Sequence, residues 1–254
     1  MIKYSAVIIT KNEADNIARC IQSLLPVTED ILIIDSGSTD QTIEIAKGLG
    51  AKIIETQWLG YSETKNRGNQ EAVNDWIISI DADEVVSESL QHTIKNLSPK
   101  ENTVYILNRM TNYCGKWIKH SGWFPDKKVR IFNKKEIYWQ GEFVHETLHI
   151  PLHYTKIELS GILEHYSYKS LEDHWNRLNK YAELSAQEMY KKGKKANFIK
   201  LHLAPAFRFF RTLILKKGIL DGKEGWIISS RNAYMVRKKY RLLQQLNKQA
   251  HEQA

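Results

Sequence analysis

The amino-acid sequence predicts an α/β fold, in which a mainly parallel, Rossmann-like sheet is flanked by helices and followed by a basic helical extension. Two observations predict it. Short apolar segments alternate with amphipathic segments of about ten residues over the first hundred positions, which is typical of βαβ units. The positive charge is concentrated in the last quarter of the 254-residue chain, where the pattern is helical.

The first part of the chain is expected to form four strands and the helices that connect them. Asn12 is expected to cap the first helix, because its side chain can accept a hydrogen bond from the first helical turn. A glycine at position 50 is expected to close the second helix. The strands are predicted at 4–10, 30–36, 52–56 and 75–83, and the helices at 13–25, 40–50, 61–74 and 87–97.

The pattern changes after about residue 102. Three further strand-like segments are separated by aromatic and loop-like stretches, which predicts an added, partly antiparallel layer beside the parallel sheet. From about residue 169 the chain is predicted to be helical. The strands are expected within 102–110, 127–139 and 156–166, and the helices within 169–195, 204–218 and 221–249.

Composition restricts the class of protein. Two cysteines, far apart in the chain, make a disulfide framework or a cysteine-based zinc site improbable and favour a reducing compartment. The amino terminus lacks the pattern of a signal peptide, and no uncharged run reaches the roughly 20 residues that span a bilayer. We therefore expect a cytoplasmic protein.

The acidic residues that end the fourth strand are the first candidate site. The stretch "DWIISIDADEVV" places Asp81 and Asp83 two residues apart, with no basic residue close to them in sequence. In extended backbone their side chains would point the same way, and two carboxylates on one side suit Mg²⁺ or Mn²⁺. The alternative is that these acids cap the next helix or are only solvated.

Other predicted strands end in polar residues as well. The first strand ends in Thr10, Lys11, Asn12 and Glu13 at a helix amino terminus, where backbone N–H groups favour an anion. The second ends in "IIDSGSTD", with Asp35, and the segment before the acidic strand, "ETKNRGNQ", contains Lys65. In this order the motifs resemble those of the family-2 glycosyltransferases, which have the GT-A fold.

The later segments resemble one branch of that family. "SGWFPDKKVRIF", "GEFVHETL", "LEHYSYKS" and "KKGILDGKEG" are similar to the enzymes that add glucose to the inner-core heptose of lipopolysaccharide. The resemblance implies an inverting, metal-dependent transfer from UDP-glucose to a lipopolysaccharide core acceptor. It also implies a catalytic domain at 1–168, with a nucleotide-sugar half at about 1–100 and an acceptor half at 101–168, and a separate helical region at 169–254.

The resemblance assigns roles to particular residues. Asp83 would bind Mg²⁺ or Mn²⁺ directly, Asp81 would contact the ribose or a metal-bound water, and His165 would complete the metal shell. A lone histidine is, however, more often structural. The residues expected to bind the nucleotide sugar are Thr10, Asn12, Glu13, Asp35, Lys65 and Asp81.

The base that deprotonates the acceptor hydroxyl is expected to be Glu146, with Glu142 as the alternative. Trp123 and Arg130 are candidates for stacking on a sugar and for holding an anion, although an aromatic core residue and a solvated charge are equally good interpretations. Ser36 stands where the family often has a second aspartate, which weakens the assignment of the base as uridine. No P-loop or dinucleotide-binding glycine motif is present.

The basic extension suggests a partner of its own. Residues 191–248 contain 16 Lys and Arg against two acids, whereas residues 1–190 contain 21 against 26. Phe207, Phe210 and Ile214 share one helical side, beside Arg208 and Arg211, which is typical of a helix on an anionic membrane. A packed helix with a solvated basic face is the alternative, and no nucleic-acid module is present.

Two other functions remain open at this level. The same chemistry could act on another acceptor, such as a capsule intermediate or a protein side chain. The chain could also be a non-catalytic membrane- or nucleic-acid-binding protein on a GT-A scaffold, although the acidic pair and the candidate base argue against it.

Overall fold

The structure is a computed structural model that describes residues 3–141 and 146–252, and it divides into two compact units. The first unit comprises residues 1–110 and 126–166, and the second comprises residues 111–125 and 167–254. The boundary between a catalytic domain and a helical region at residue 168 stays a prediction.

Eleven strands occur in the described residues. In chain order they are β1 (Tyr4–Thr10), β2 (Asp30–Asp35), β3 (Lys52–Glu55), β4 (Trp76–Asp81), β5 (Glu84–Val86), β6 (Thr103–Tyr113), β7 (Lys116–Trp117), β8 (Asp126–Asn133), β9 (Tyr138–Gln140), β10 (Thr147–His149) and β11 (Thr155–Tyr168). The helices of the first unit are α1 (Ala14–Leu24), α2 (Thr42–Gly48), α3 (Tyr61–Glu71) and α4 (Glu88–Lys95).

The main sheet of the first unit is mixed, in the order β3-β2-β1-β4-β8-β6-β11-β5. The four strands β3, β2, β1 and β4 are parallel, whereas β8 is antiparallel to both β4 and β6, and β11 is antiparallel to β5. The predicted parallel half and its antiparallel addition are thus confirmed. A separate ribbon pairs β9 with β10.

The parallel strands are apolar on both sides because helices cover both faces of the sheet. Ala6 and Ile8 of β1 belong to one core, with the buried face of α1. Val7 belongs to the other core, with Ile34 and Trp139. Residues along a strand alternate between these two cores, as the period of two requires.

Gly68 lets α3 pack close against the sheet. A Cβ atom at this position would overlap Cγ1 of Val7 and lie 2.9 Å from Cγ1 of Ile34. Only glycine fits this contact without movement of the neighbours. The close packing fixes the position of Lys65, one turn earlier on the same helix.

Two local predictions were wrong. Asn12 does not cap α1: its backbone is left-handed, with φ of 56°, and the residue preceding the helix is Glu13, which makes no side-chain cap. The strand predicted at 75–83 ends at Asp81, and a two-residue turn separates it from β5. Asp83 lies in that turn, so the expectation that it extends the strand beside Asp81 fails.

The second unit is mainly helical in its described part. It contains α5 (Leu171–Lys191), α6 (Ala204–Phe210) and α7 (Gly222–Glu252), with π-helical turns at Ile199–Leu203 and Arg211–Leu215. The buried carboxylate of Asp221 accepts hydrogen bonds from the hydroxyl of Ser121 at 2.7 Å and the backbone N–H of Lys119 at 3.1 Å. Among the described residues, we find no helix with the length and apolar character needed to span a membrane.

Candidate active site

The acidic turn between β4 and β5 lies at the carboxyl end of the parallel sheet, the edge where open α/β sheets bind ligands. Asp81 is the last residue of β4, Asp83 lies in the turn, and Glu84 begins β5. The amino terminus of the following helix, α4, is capped by Ser87, whose hydroxyl accepts a hydrogen bond from the backbone of Leu90. The acids therefore do not serve as the cap of that helix.

Asp81 is held by two basic side chains from distant parts of the chain. The ammonium of Lys65 lies 3.1 Å from Oδ1, and the guanidinium of Arg130 lies 2.6 Å from Oδ2. Burial alone would raise the pKa of Asp81, but the charges of Arg130 and Lys65 outweigh it and hold that pKa well below its usual range. Asp81 is thus an ionised carboxylate fixed between two cations.

Glu84 is fully buried beneath Asp81. Its Oε1 accepts hydrogen bonds from Arg130 at 2.5 Å and from Arg109 at 2.9 Å, and its Oε2 accepts one from the backbone N–H of Asp81 at 3.0 Å. Arg109 in turn binds Asp126 at 2.7 Å. Each charged group of this network has at least one partner of opposite charge, so the network supports the turn from its buried side.

Asp83 pairs with the histidine that was predicted as a metal ligand. Nε2 of His165 lies 3.2 Å from Oδ2 of Asp83, and both side chains remain partly exposed. The contact follows from strand pairing, in which His165 of β11 is opposite Glu84 of β5. In the described part of the chain, no group of three or more His, Cys, Asp and Glu side chains is arranged to hold a metal ion.

Lys65 connects the acidic turn to the candidate base. The side chain is buried, with its ammonium 4.4 Å from the ring centre of Trp139 and 3.9 Å from Oε1 of Glu146. Glu146 keeps about a quarter of its side chain exposed, so a substrate hydroxyl can reach it. The alternative base, Glu142, lies outside the described residues.

Asp35 holds the loop that follows β2. Its carboxylate is fully buried and accepts hydrogen bonds from the backbone N–H groups of Gly37 at 2.9 Å and Ser38 at 2.8 Å, and from the hydroxyl of Ser38 at 2.5 Å. Direct contact of Asp35 with a nucleotide stays a prediction. Thr10 is its direct neighbour across the paired strands.

Asn12 and Glu13 join the end of β1 to the same loop. The side chain of Asn12 accepts a hydrogen bond from the backbone of Thr39 at 2.8 Å, and its own backbone N–H donates to Ser38 at 2.9 Å. The backbone N–H of Glu13 donates to Thr42 at 2.8 Å. The left-handed backbone of Asn12 thus brings the two predicted nucleotide-binding turns together.

Comparison with known proteins identifies the family. The sequence profile described as glycosyl transferase family 2 matches residues 5–150, which is more than half of the chain. The chain belongs to glycosyl transferase family 2. The match covers Asp81, Asp83, Lys65 and Glu146, so all four lie in the part of the chain that defines this family-2 glycosyltransferase.

Relatives extend the likeness beyond the matched region. An uncharacterized glycosyltransferase of Rickettsia typhi is 33% identical over 90% of this chain and 82% of its own length. LpsC of Rhizobium meliloti, a lipopolysaccharide core biosynthesis glycosyltransferase, is 27% identical over 85% of this chain and 82% of its own length. The enzyme is therefore a nucleotide-sugar glycosyltransferase with the GT-A fold, as the sequence predicted.

A solved structure shows a more limited likeness. Glucosyl-3-phosphoglycerate synthase from Mycobacterium tuberculosis, in complex with Mn²⁺ and UDP-glucose, is 23% identical over 44% of each chain, with a TM-score of 0.36.

The network of buried charged residues beneath the candidate site is not among the features that the sequence predicts. Glu84 and Arg109 were given no separate role, and Arg130 was expected to hold a ligand anion or to be solvated, whereas it binds Asp81 and Glu84. The available signal was position: Arg130 lies in the apolar run "VRIF" and Arg109 in "ILNRM". A basic residue inside a buried strand normally has an acidic partner.

Trp123 stacks on Tyr168 in the second unit, with ring centres 5.2 Å apart.

Proposed function

We propose that this glycosyltransferase transfers glucose from UDP-glucose to the inner-core heptose of lipopolysaccharide, with inversion at the anomeric carbon. The observation that carries the proposal is the link through Lys65, which places the candidate base Glu146 beside the acidic strand end. The acceptor is supported by the similarity to LpsC over most of both chains.

In the proposed reaction Glu146 is the general base. The acceptor hydroxyl attacks the anomeric carbon, its proton passes to the Glu146 carboxylate, and the bond from that carbon to the diphosphate oxygen breaks. A carboxylate that is about a quarter exposed suits this role because substrate can approach within hydrogen-bonding distance. The nearby ammonium of Lys65 limits where the carboxylate can move.

Lys65 also serves the leaving group in this proposal. Its ammonium is buried beside Asp81 and stacks over Trp139, and a cation in such a partly dehydrated place stabilises the negative charge that develops on a departing diphosphate. Arg130 remains beneath, bound to both Asp81 and Glu84. It acts by positioning Asp81.

The residues present fit a divalent cation at Asp83. Carboxylate oxygen is a ligand that Mg²⁺ and Mn²⁺ accept, and the imidazole of His165 lies beside it. Each oxygen of Asp81 already binds a cation, which suits the proposed contact of Asp81 with the ribose or a metal-bound water rather than direct ligation. When bound, the metal would supply Lewis-acid stabilisation to the donor phosphates.

The proposed place of action is the anionic surface of the cytoplasmic membrane. Phe207, Phe210 and Ile214 expose between 46% and 60% of their surface in the second unit, and Arg208 and Arg211 are exposed beside them. A packed helix would bury the aromatic side, so the exposed aromatic side favours the membrane interpretation. A lipid-linked acceptor would be presented at that surface.

A transfer assay with the purified full chain tests the proposal. UDP-, ADP- and GDP-glucose are supplied with a heptose-terminated lipopolysaccharide core, with Mn²⁺ or with EDTA, and the product is followed by mass spectrometry. We expect a product only with UDP-glucose, loss of activity with EDTA or in Asp83→Asn, and a fall in kcat of more than about 10²-fold in Glu146→Gln.

The matched control is Glu158→Gln, because Glu158 is an exposed acid paired with Lys127 away from the turn. It should keep normal activity. A preference for ADP- or GDP-glucose would overturn the donor assignment, and transfer only to a different acceptor would overturn the lipopolysaccharide assignment. Ordinary turnover by Glu146→Gln would remove Glu146 as the base.

A further inference from the structure

A cavity of about 500 Å³ lies in the first unit, between the second half of α3 and the turn that joins β8 to β9. Its lining includes Asn69, Lys134 and Tyr138. The volume falls within the range of about 300–1,000 Å³ in which proteins bind small molecules. The residues assigned above to the transfer reaction do not line it.

The cavity is at the opposite end of β4 from the acidic turn. The backbone N–H of Lys134 donates to the carbonyl of Asp75, just before β4 begins, whereas Asp81 ends that strand. Six residues of strand separate two points by roughly 20 Å. The lining also reaches Asn66, beside Lys65, but a ligand held at Lys134 and Asn69 would lie toward the amino end of β4, away from a sugar nucleotide at the strand ends.

Asn69 gives the cavity a binding group. Its residue is 4% exposed, and neither the amide oxygen nor the amide nitrogen has a hydrogen-bond partner in the described part of the chain. Asn66, one turn earlier, is fully used, since it both donates to and accepts from the backbone of Trp139. Buried amides are almost always paired, so the Asn69 amide calls for a ligand that both donates and accepts.

The charged and aromatic side chains that line the cavity restrict the class of ligand that could bind there. The ammonium of Lys134 binds the neutral carbonyl of Ala72 and no carboxylate among the described residues, whereas Lys135 is paired with Asp75. Tyr138 is 48% exposed at the cavity and stacks one ring face on His149. An amide that donates and accepts matches adjacent hydroxyl groups, and an aromatic ring matches the apolar face of a sugar. A lysine that has no carboxylate partner in the described part of the chain matches an anion.

We propose that this cavity is a second saccharide site, which binds a sugar bearing a phosphate or carboxylate group. It would hold a part of a glycan remote from the reacting hydroxyl, or a free acidic sugar. The proposal goes beyond the transfer reaction and does not depend on which donor or acceptor that reaction uses.

Calorimetric titration of the full chain with glucose 6-phosphate, glucose and inorganic phosphate tests it. We expect glucose 6-phosphate to bind more tightly than either of the others, and to bind equally with and without saturating UDP. Asn69→Leu should raise its Kd at least tenfold. Lys134→Met should weaken the binding of glucose 6-phosphate but not the binding of glucose. The neighbouring control, Lys135→Met, should change either affinity little.

Several results would overturn the site. They are the absence of binding by glucose 6-phosphate, displacement by UDP, equal affinity for inorganic phosphate, and unchanged affinity in Asn69→Leu. Should Asn69→Leu not fold, Tyr138→Ala is the second variant, because that side chain is half exposed. Tyr138→Ala with wild-type affinity would also reject the site. Transfer activity is measured in parallel, so failure here is separable from failure of the proposed reaction.

Discussion

At the scale of single residues, the buried ion pairs explain why an acidic turn is stable at the end of an apolar strand. Glu84 has no exposed surface, and Arg109 and Arg130 supply the cations that a buried carboxylate requires. Arg130 also binds Asp81, so one guanidinium joins the buried carboxylate of Glu84 to the partly exposed carboxylate of Asp81. The site acids are therefore coupled to the stability of the fold.

We expect Arg130→Met to destabilise the protein by about 3–5 kcal/mol, because it removes one of the two cations paired with the buried carboxylate of Glu84 and one of the two paired with Asp81. The double variant Arg130→Met/Glu84→Gln should recover part of that loss, since it removes one of the stranded charges. Urea unfolding measures both. Lys127→Met, which breaks an exposed pair with Glu158, should cost less than about 1 kcal/mol. Equal stability of the single and double variants would contradict the coupling.

A second buried titratable residue lies in the other unit. The hydroxyl of Tyr113 lies 2.6 Å from Nδ1 of His174 and accepts a hydrogen bond from Arg231 at 3.2 Å, so its proton is directed to His174. Burial, and then the charge of Arg231, lower the pKa of His174 to about 4, although Asp173 opposes the shift. His174 is therefore neutral in the folded chain.

This pKa predicts an acid-dependent loss of stability. The unfolded chain, with a histidine pKa of about 6.5, binds a proton at pH values where His174 of the folded chain stays neutral. The stabilisation is fully present above pH 6.5 and declines as pH falls toward 4, by about 2 kcal/mol between pH 6.5 and 5. Urea unfolding of the wild type and of His174→Gln across this range is the measurement. An identical pH slope in the two proteins would refute the assignment.

At the scale of elements, α3 has two functions that depend on each other. Gly68 sets its distance from the sheet, and Lys65, on the same helix, contacts Asp81 and Glu146. Any displacement of the helix from β1 and β2 would therefore also move the ammonium away from the carboxylates. Close packing at the glycine is in this way a condition for the site geometry.

We expect Gly68→Ala to destabilise the protein by about 1–3 kcal/mol through overpacking, even though alanine is the better helix former. It should also slow transfer, since Lys65 shifts. Gly48→Ala is the matched control, because a Cβ at that position in α2 meets no atom within 4 Å. It should be neutral or stabilising. The urea midpoint and the transfer rate are measured for both, and a neutral Gly68→Ala would contradict the close contact.

At the scale of the whole molecule, charge is divided unequally along the chain. Residues 191–248 have a balance of +14, whereas residues 1–190 have a balance of −5. The two acids within the basic segment are both engaged, Asp221 as a buried acceptor and Glu224 with Lys116. Lys192 and Lys238 pair with Glu188 and Glu183, and we propose that the excess positive charge of this segment faces a partner, since basic charge beside exposed aromatic rings suits an anionic lipid surface.

We expect the full chain to sediment with vesicles that contain anionic lipid, and less so at high salt because the attraction is screened. Phe207→Ser/Phe210→Ser should reduce sedimentation and slow transfer to a lipid-linked acceptor, but leave slow donor hydrolysis unchanged. Leu152→Ser is the control, an exposed apolar residue in the first unit. If the full chain does not sediment with anionic vesicles at low salt, the membrane interpretation is wrong and this region is an ordinary packed helix.

The alternation of apolar and amphipathic segments allowed most of the fold to be predicted, because a strand or helix buried on one side must follow the period of its own backbone. The span of β1 was predicted to the residue. The boundaries of the other elements were less accurate, and β5 was not predicted, because three residues are too short for a period. Asn12 was misjudged because its backbone conformation depends on Ser38 and Thr39, which lie far along the chain.

By itself the sequence determined the family, the order in which polar residues follow the strands, and the basic extension, since these depend on neighbours in the chain. Only the tertiary structure decided what each acid contacts. Asp81 pairs with Lys65 and Arg130, and Asp83 pairs with His165, across separations of 16 to 82 positions in the sequence. The physical reason is that pairing of charges depends on distance in space, which strand order and helix packing set together.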